Sequence, residues 1–70
     1  MRNFKPYDAL KKQVGKEIKV YLKDGSCYEG KLVDVWKNED EWDMLVRNFH
    51  NFYLIKGKGI CFIQLFDQNI

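Results

Sequence analysis

The sequence predicts one mainly β domain over residues 1–70: a short N-terminal helix, then a strongly bent, five-stranded antiparallel small barrel. Three observations predict it. Ile18, Val20 and Leu22 alternate with Lys19, Tyr21 and Lys23, a period of two that makes one apolar and one wet face. Asp24-Gly25, a pair suited to the positive φ angles of a type I′ turn, then leads into a long return strand with Gly30 at its middle. Two later segments, Phe52 to Ile55 and Ile60 to Phe66, are apolar on both faces. A glycine inside a strand marks a bend or the close approach of another backbone. A strand kinked there belongs to two half-sheets at once, which is a way to close a small barrel.

The elements follow in order. Pro6 followed by Tyr7 to Gly15 reads as a two-turn helix: proline suits the first turn, Asp8 and Lys11-Lys12 sit at the matching ends of the dipole, and Gly15 is the left-handed stop. Tyr7, Leu10 and Val14 share one face, and so short a helix needs something to pack on. The hairpin strands are Ile18 to Lys23 and Ser26 to Trp36. Lys37 to Glu41 reads as a polar loop, and Trp42 to Phe49 as a third strand with Trp42, Met44 and Val46 on one side. Asn48 to Asn51 is a turn, Phe52 to Ile55 the fourth strand, Lys56 to Gly59 a tight turn, and Ile60 to Phe66 the fifth strand before a tail, Asp67 to Ile70. Apolar faces on both sides of the last two strands imply burial on both. An unpaired apolar edge invites aggregation, and pairing the fourth strand of one copy with the fifth of the next removes it.

Composition bounds the function. The chain has 70 residues, 46% of them apolar and 16% aromatic, so a core forms without metal or bridges. No apolar run approaches the roughly 20 residues of a membrane span, and the first six residues lack a signal-peptide core, so a cytoplasmic location is expected. The total charge is +2, yet Asp34, Glu39, Asp40, Glu41 and Asp43 face only Lys37 in one segment. That segment carries −4 and leaves +6 on the rest, a distribution able to steer partners of either sign. Cys27 and Cys61 read as two buried free thiols. With no Cys-x-x-Cys and one histidine, His50, no metal or other cofactor is expected. Ser26 is the sole serine, threonine is absent, and no glycine loop leads into a helix, so no enzyme is expected.

Gly15 to Gly25 followed by Tyr28-Glu29-Gly30-Lys31-Leu32 looks like the first Sm motif, and Leu54-Ile55-Lys56-Gly57-Lys58-Gly59-Ile60-Cys61-Phe62-Ile63 resembles the second. The chain thus resembles the Sm, LSm and Hfq superfamily over nearly its whole length. The resemblance implies an SH3-type bent barrel, a homo-oligomeric ring of about six or seven copies joined through the fourth and fifth strands, and single-stranded, often uridine-rich, RNA bound near a central pore. It implies base contacts from the loop between the second and third strands and closure by Lys56 beside Gly57. That loop departs from the family pattern by being longer. Counting from Gly30 puts Asp40 at the base-reading position, counting back from Met44 puts Asp43 there, and Asn38 is the nearby amide.

Trp36 and Trp42 flank this loop and read either as stacking platforms for bases or as caps of the core. Lys5, Lys11, Lys12 and Lys16 gather around the helix as a solvated face or a second RNA surface. The functional expectation is a ring-forming RNA-binding protein with candidate site residues Trp36, Asn38, Asp40, Trp42, Asp43, Lys56 and Gly57. Carboxylates repeated around a pore repel phosphates, which favours the alternative of an Sm-like structural or protein-interaction module without RNA. A monomeric SH3-like adaptor is the third possibility.

Overall fold

Strand β2 (Cys27–Asn38) is 12 residues long and serves two neighbours. Its first part, Cys27 to Lys31, pairs with β1 (Glu17–Leu22), and its second, Lys31 to Asn38, pairs with β3 (Glu41–Asn48). The computed structural model describes residues 6–66. Around β2 it places helix α1 (Pro6–Lys11), β4 (Asn51–Lys56), a 3-10 turn at Gly57–Gly59, and β5 (Ile60–Leu65). The order across the antiparallel sheet is β4-β3-β2-β1-β5.

Gly30 is where the long strand changes partner. It pairs with Ile18, and a Cβ built on it would run into the Arg47 carbonyl group, 2.9 Å from the carbon. The expected close backbone approach is present, and only glycine leaves room for it. Two residues on, the β2–β3 register slips between Leu32 and Asp34, so Val33 forms a bulge and Asp34 Oδ1 accepts the Val35 N–H at 2.8 Å.

Several boundaries differ from expectation. The helix ends at Lys11, because the backbone beyond it turns to bond β2: Gly15 N–H donates to Leu32 O at 2.7 Å, and Leu32 N–H to Lys16 O at 2.9 Å. Gly15 does take the left-handed conformation, φ 95°. Leu10 is buried, while Val14 is left exposed. The first hairpin is not a type I′ turn, since Gly25 has positive φ and Asp24 does not. Gly25 N–H donates to Leu22 O and Leu22 N–H to Ser26 O, the pattern of a type I turn followed by a left-handed glycine. Asp24 Oδ1 accepts the Ser26 N–H at 2.8 Å, which holds the Asp24 carboxyl below its ordinary value. The expected loop from Lys37 to Glu41 shrinks to Glu39-Asp40, with Glu39 at φ 52°, because pairing continues to Asn38↔Glu41. Phe49 leaves the third strand for the next turn at φ 57°.

Inward positions make the core. Ile18, Val20, Leu32, Val35, Met44 and Val46 are fully buried, and Leu10 and Ile55 nearly so. Tyr7, Trp42 and Tyr53 pack against them.

Two expectations fail within one chain. The sheet does not close into a barrel, for β4 and β5 lie at opposite edges and hydrogen-bond only to β3 and β1. The last two strands are therefore uncovered on one side: Phe52 and Leu54 are each 59% exposed, Phe62 56% and Leu65 49%. The two thiols, expected buried, are exposed. Cys27 sits opposite Tyr21 on the outward side of β1 and β2, and Cys61 lies at the irregularity where β5 slips against Tyr21-Leu22.

Candidate functional site

Register brings four of the seven candidate residues together. Trp36 is the cross-strand partner of Asp43, and Asp43 is that of Lys56. Directly opposed residues present their side chains on the same face of a sheet, so Trp36, Asp43 and Lys56 form one row across β2, β3 and β4. Asn38 is two residues beyond Trp36 on the same strand and so shares its face. Its Nδ2 donates to Asp43 Oδ2 at 2.7 Å. Lys56 Nζ lies 3.5 Å from the same oxygen.

Asp43 is the unusual member. It is 3% exposed, the single buried polar or charged side chain among the described residues. Burying a carboxylate is costly unless its oxygens are satisfied. Oδ2 is satisfied by Asn38, whereas the buried Oδ1 has no hydrogen-bond partner among the described residues. Lys56 reaches over from the edge strand with its side chain 60% exposed, and its ammonium is too far for a good hydrogen bond. The arrangement is a half-satisfied acceptor between a half-buried indole and a cation with freedom to move. The carboxylate is closed off from solvent, and the groups of the row open to a ligand are the Trp36 ring, the Asn38 amide and the Lys56 ammonium.

The remaining three candidates go elsewhere. Trp42 lies on the other face of β3, with Met44 and Val46, and its ring rests on Gly57. Trp42 thus takes the core-capping role rather than the platform role. A methyl on Gly57 would stand 2.6 Å from Trp42 Cε2 and 2.7 Å from the Trp42 carbonyl oxygen. Gly57 therefore acts by letting the turn after Lys56 seat on that indole. Gly57→Ala is expected to lower stability by about 1–3 kcal/mol, since neither ring nor backbone can yield freely. A urea titration of the variant checks this, and an unchanged midpoint counts against the contact. Asp40 lies exposed in the hairpin turn, apart from the row. Of the two acidic candidates, it is Asp43 that stands in the row with Trp36 and Lys56.

Of the basic residues near the helix, Lys11 is tied to β2. Lys11 Nζ donates to Val35 O at 2.8 Å and pairs with Asp34 at 3.5 Å, Lys12 and Lys16 are exposed, and Lys5 lies outside the described residues. Lys58 pairs with Glu41 at 3.4 Å on the surface, where such pairs contribute little. Away from the row, Tyr21 stacks on Phe62 on the outward face, centroids 4.4 Å apart at 20°. It arises because β5 returns to pair with β1, and no alternation pattern reports which strands are neighbours.

Grooves accompany both free sheet edges. One of about 360 Å³ runs along β4 past Phe52, Leu54 and Lys56, and another of about 460 Å³ lies between α1 and β5, lined by Leu10, Trp42, Phe62 and Leu65. Among the described residues no cluster of His, Cys, Asp or Glu could hold a metal ion, and no helix is long and apolar enough to cross a membrane.

Fold and site together define a small, mainly β protein: one short helix, an open five-stranded antiparallel sheet, and a polar row at one end of its longest hairpin. Compared with family models, curated proteins and solved structures, the chain finds no match.

Proposed function

We propose that this chain is an Sm-like, ring-forming protein that binds single-stranded RNA near a central pore and performs no chemistry of its own. The observation that carries the reading is the row Trp36–Asp43–Lys56 with Asn38 hydrogen-bonded to Asp43, which sets a half-buried ring and an exposed cation on one face, anchored by the buried carboxylate. Bases stacked on aromatic side chains and held by edge hydrogen bonds are the usual way proteins read unpaired RNA. The two open, apolar sheet edges support the assembly half of the proposal, since β4 of one copy and β5 of the next satisfy each other's backbone groups.

A titration of labelled oligoribonucleotides of mixed sequence, followed by fluorescence anisotropy at low salt and paired with native mass measurement, tests this. The expected result is binding that weakens as salt is raised, by an assembly of about six or seven copies, with Lys56→Ala losing roughly tenfold in affinity. No binding at low salt overturns the RNA half, and a monomer at micromolar concentration overturns the ring. The crowding of Glu39, Asp40 and Glu41 at the turn of the same hairpin favours a second reading, an oligomeric structural or protein-interaction module. Its signature is a wild-type ring that ignores RNA, joined to a gain of RNA binding in an Asp40→Asn, Asp43→Asn double variant.

A further inference from the structure

We infer that two copies join by exchanging faces: the outward face of β4 lies on the same side of the shared sheet as the core-side face of the partner's β5. The inference rests on the ring reading above and names the surfaces that make the joint. Along a strand the backbone N–H and C=O of successive residues turn to opposite sides, so every second residue of an edge strand offers bonds outward. In β4 the phase is set by the two-residue turn Phe49-His50, flanked by the opposed pair Asn48 and Asn51. Such a pair exchanges both its backbone bonds, so Asn51, Tyr53 and Ile55 face β3, while Phe52, Leu54 and Lys56 offer theirs to the free edge. In β5 the phase follows from β1. Leu22 N–H donates to Ser26 O and Lys23 N–H to Gly59 O, so Tyr21, one residue back, turns its backbone to β5. Its partner Phe62 and, two residues on, Gln64 are thus bonded to β1, which leaves Ile63 and Leu65 to offer bonds at the other edge.

Edge bonding therefore couples Phe52 and Leu54 to Ile63 and Leu65, and directly opposed residues share a face. Phe52 and Leu54 point away from their own core, whereas Ile63 stands opposite buried Val20 and Leu65 opposite buried Ile18. The sheet passes from copy to copy with its core side reversed. Pairing is antiparallel, as throughout the sheet. One register of the right phase sets Phe52 opposite the partner's Leu65, Leu54 opposite the partner's Ile63 and Ile55 opposite the partner's Phe62. A shift of two residues leaves Leu65 facing His50 in one direction and sets Phe52 against Asp67 in the other. In the favoured register Leu54 enters the groove lined by Leu10, Trp42 and Leu65, and the partner's Phe62 enters the groove beside Tyr28 and Tyr53. The four exposed edge side chains, Phe52, Leu54, Phe62 and Leu65, are all covered. Lys56 comes opposite the partner's Cys61, so the row Trp36–Asp43–Lys56 ends against a second copy. Both strands are apolar on both faces because one face is buried by the chain itself and the other by its neighbour.

The test uses the full chain with Cys27 and Cys61 changed to serine, oxidised at concentrations where the parent is assembled. Phe52→Cys combined with Leu65→Cys is expected to give a ladder of linked chains on a non-reducing gel, since opposed residues stand within disulfide reach. Leu54→Cys combined with Leu65→Cys, two residues out of register, is expected to give none. All three positions are exposed, and circular dichroism confirms that the variants are folded. A second measurement needs no variant. Hydrogen exchange of the parent, dilute against concentrated, is expected to slow on assembly at the Phe52, Leu54, Ile63 and Leu65 amides and to change little at Tyr53 and Gln64. A ladder from the out-of-register pair, no ladder from either pair in assembled protein, or slowing at Tyr53 and Gln64 instead overturns the face exchange and leaves the ring standing. A parent that is monomeric at every concentration overturns both.

Discussion

Gly30→Val is expected to leave the chain without a cooperative unfolding transition at room temperature. The reason is the crossing of backbones at mid-β2: a Cβ there meets the carbonyl group of Arg47 and, at 3.1 Å, Val46 Cγ1. Overpacking a core with side-chain neighbours typically costs about 1–3 kcal/mol, because side chains turn aside. A main-chain carbonyl held in the β2–β3 ladder cannot turn aside, so the cost exceeds that range. At about 0.05–0.15 kcal/mol per residue, a chain of this size has only a few kcal/mol to lose. Gly59→Ala is the matched control, since a Cβ at that position touches nothing within 4 Å. Thermal melts by far-ultraviolet circular dichroism separate the two. A Gly30→Val melt within a few degrees of the parent would mean that the strands do not cross as closely as described.

Leu54→Lys is expected to convert an assembly into single chains while leaving each chain folded. Leu54 is largely exposed on the outermost strand and contributes little to the core of its own molecule. In the proposed ring it lies at the seam, where burying a leucine is worth about 1.5–3 kcal/mol at every contact. A lysine there loses that term and places a charge on the margin, a common device for keeping edge strands apart. Phe62→Lys, on the opposite edge, is expected to do the same, because a head-to-tail contact uses both surfaces once. Sedimentation velocity at matched concentrations reads the outcome. Retention of the parent's sedimentation coefficient by both variants would place the interface elsewhere.

Much of the architecture was legible in local signals. The alternation from Ile18 to Leu22, the glycine at 15 and the apolar side of Met44 and Val46 each report a neighbour one or two residues away, and each appears as expected. Gly30 was legible for the same reason, because a residue without a side chain in a long strand advertises crowding. The first hairpin was placed correctly but given the wrong turn. Asp-Gly suits two geometries, and the choice depended on Leu22 and Ser26 pairing across a three-residue loop. The thiols were misjudged because cysteine in a strand has no phase of its own; it takes the face of its register, here outward beside Tyr21.

The site divides along the same line. Trp36, Asn38, Asp43 and Lys56 became candidates through a motif-like order of residues. That they stand together, while Trp42 turns to the core and Asp40 to solvent, followed from the pairing of β2, β3 and β4. The chain by itself determined which segments become strands and which of their faces are apolar, since period and turn chemistry act over a few residues. Only the tertiary structure decided that β4 and β5 end up at opposite margins of an open sheet and that one Asp43 oxygen is buried without a partner among the described residues. Those outcomes depend on strand order and register, which arise from contacts between residues far apart in sequence.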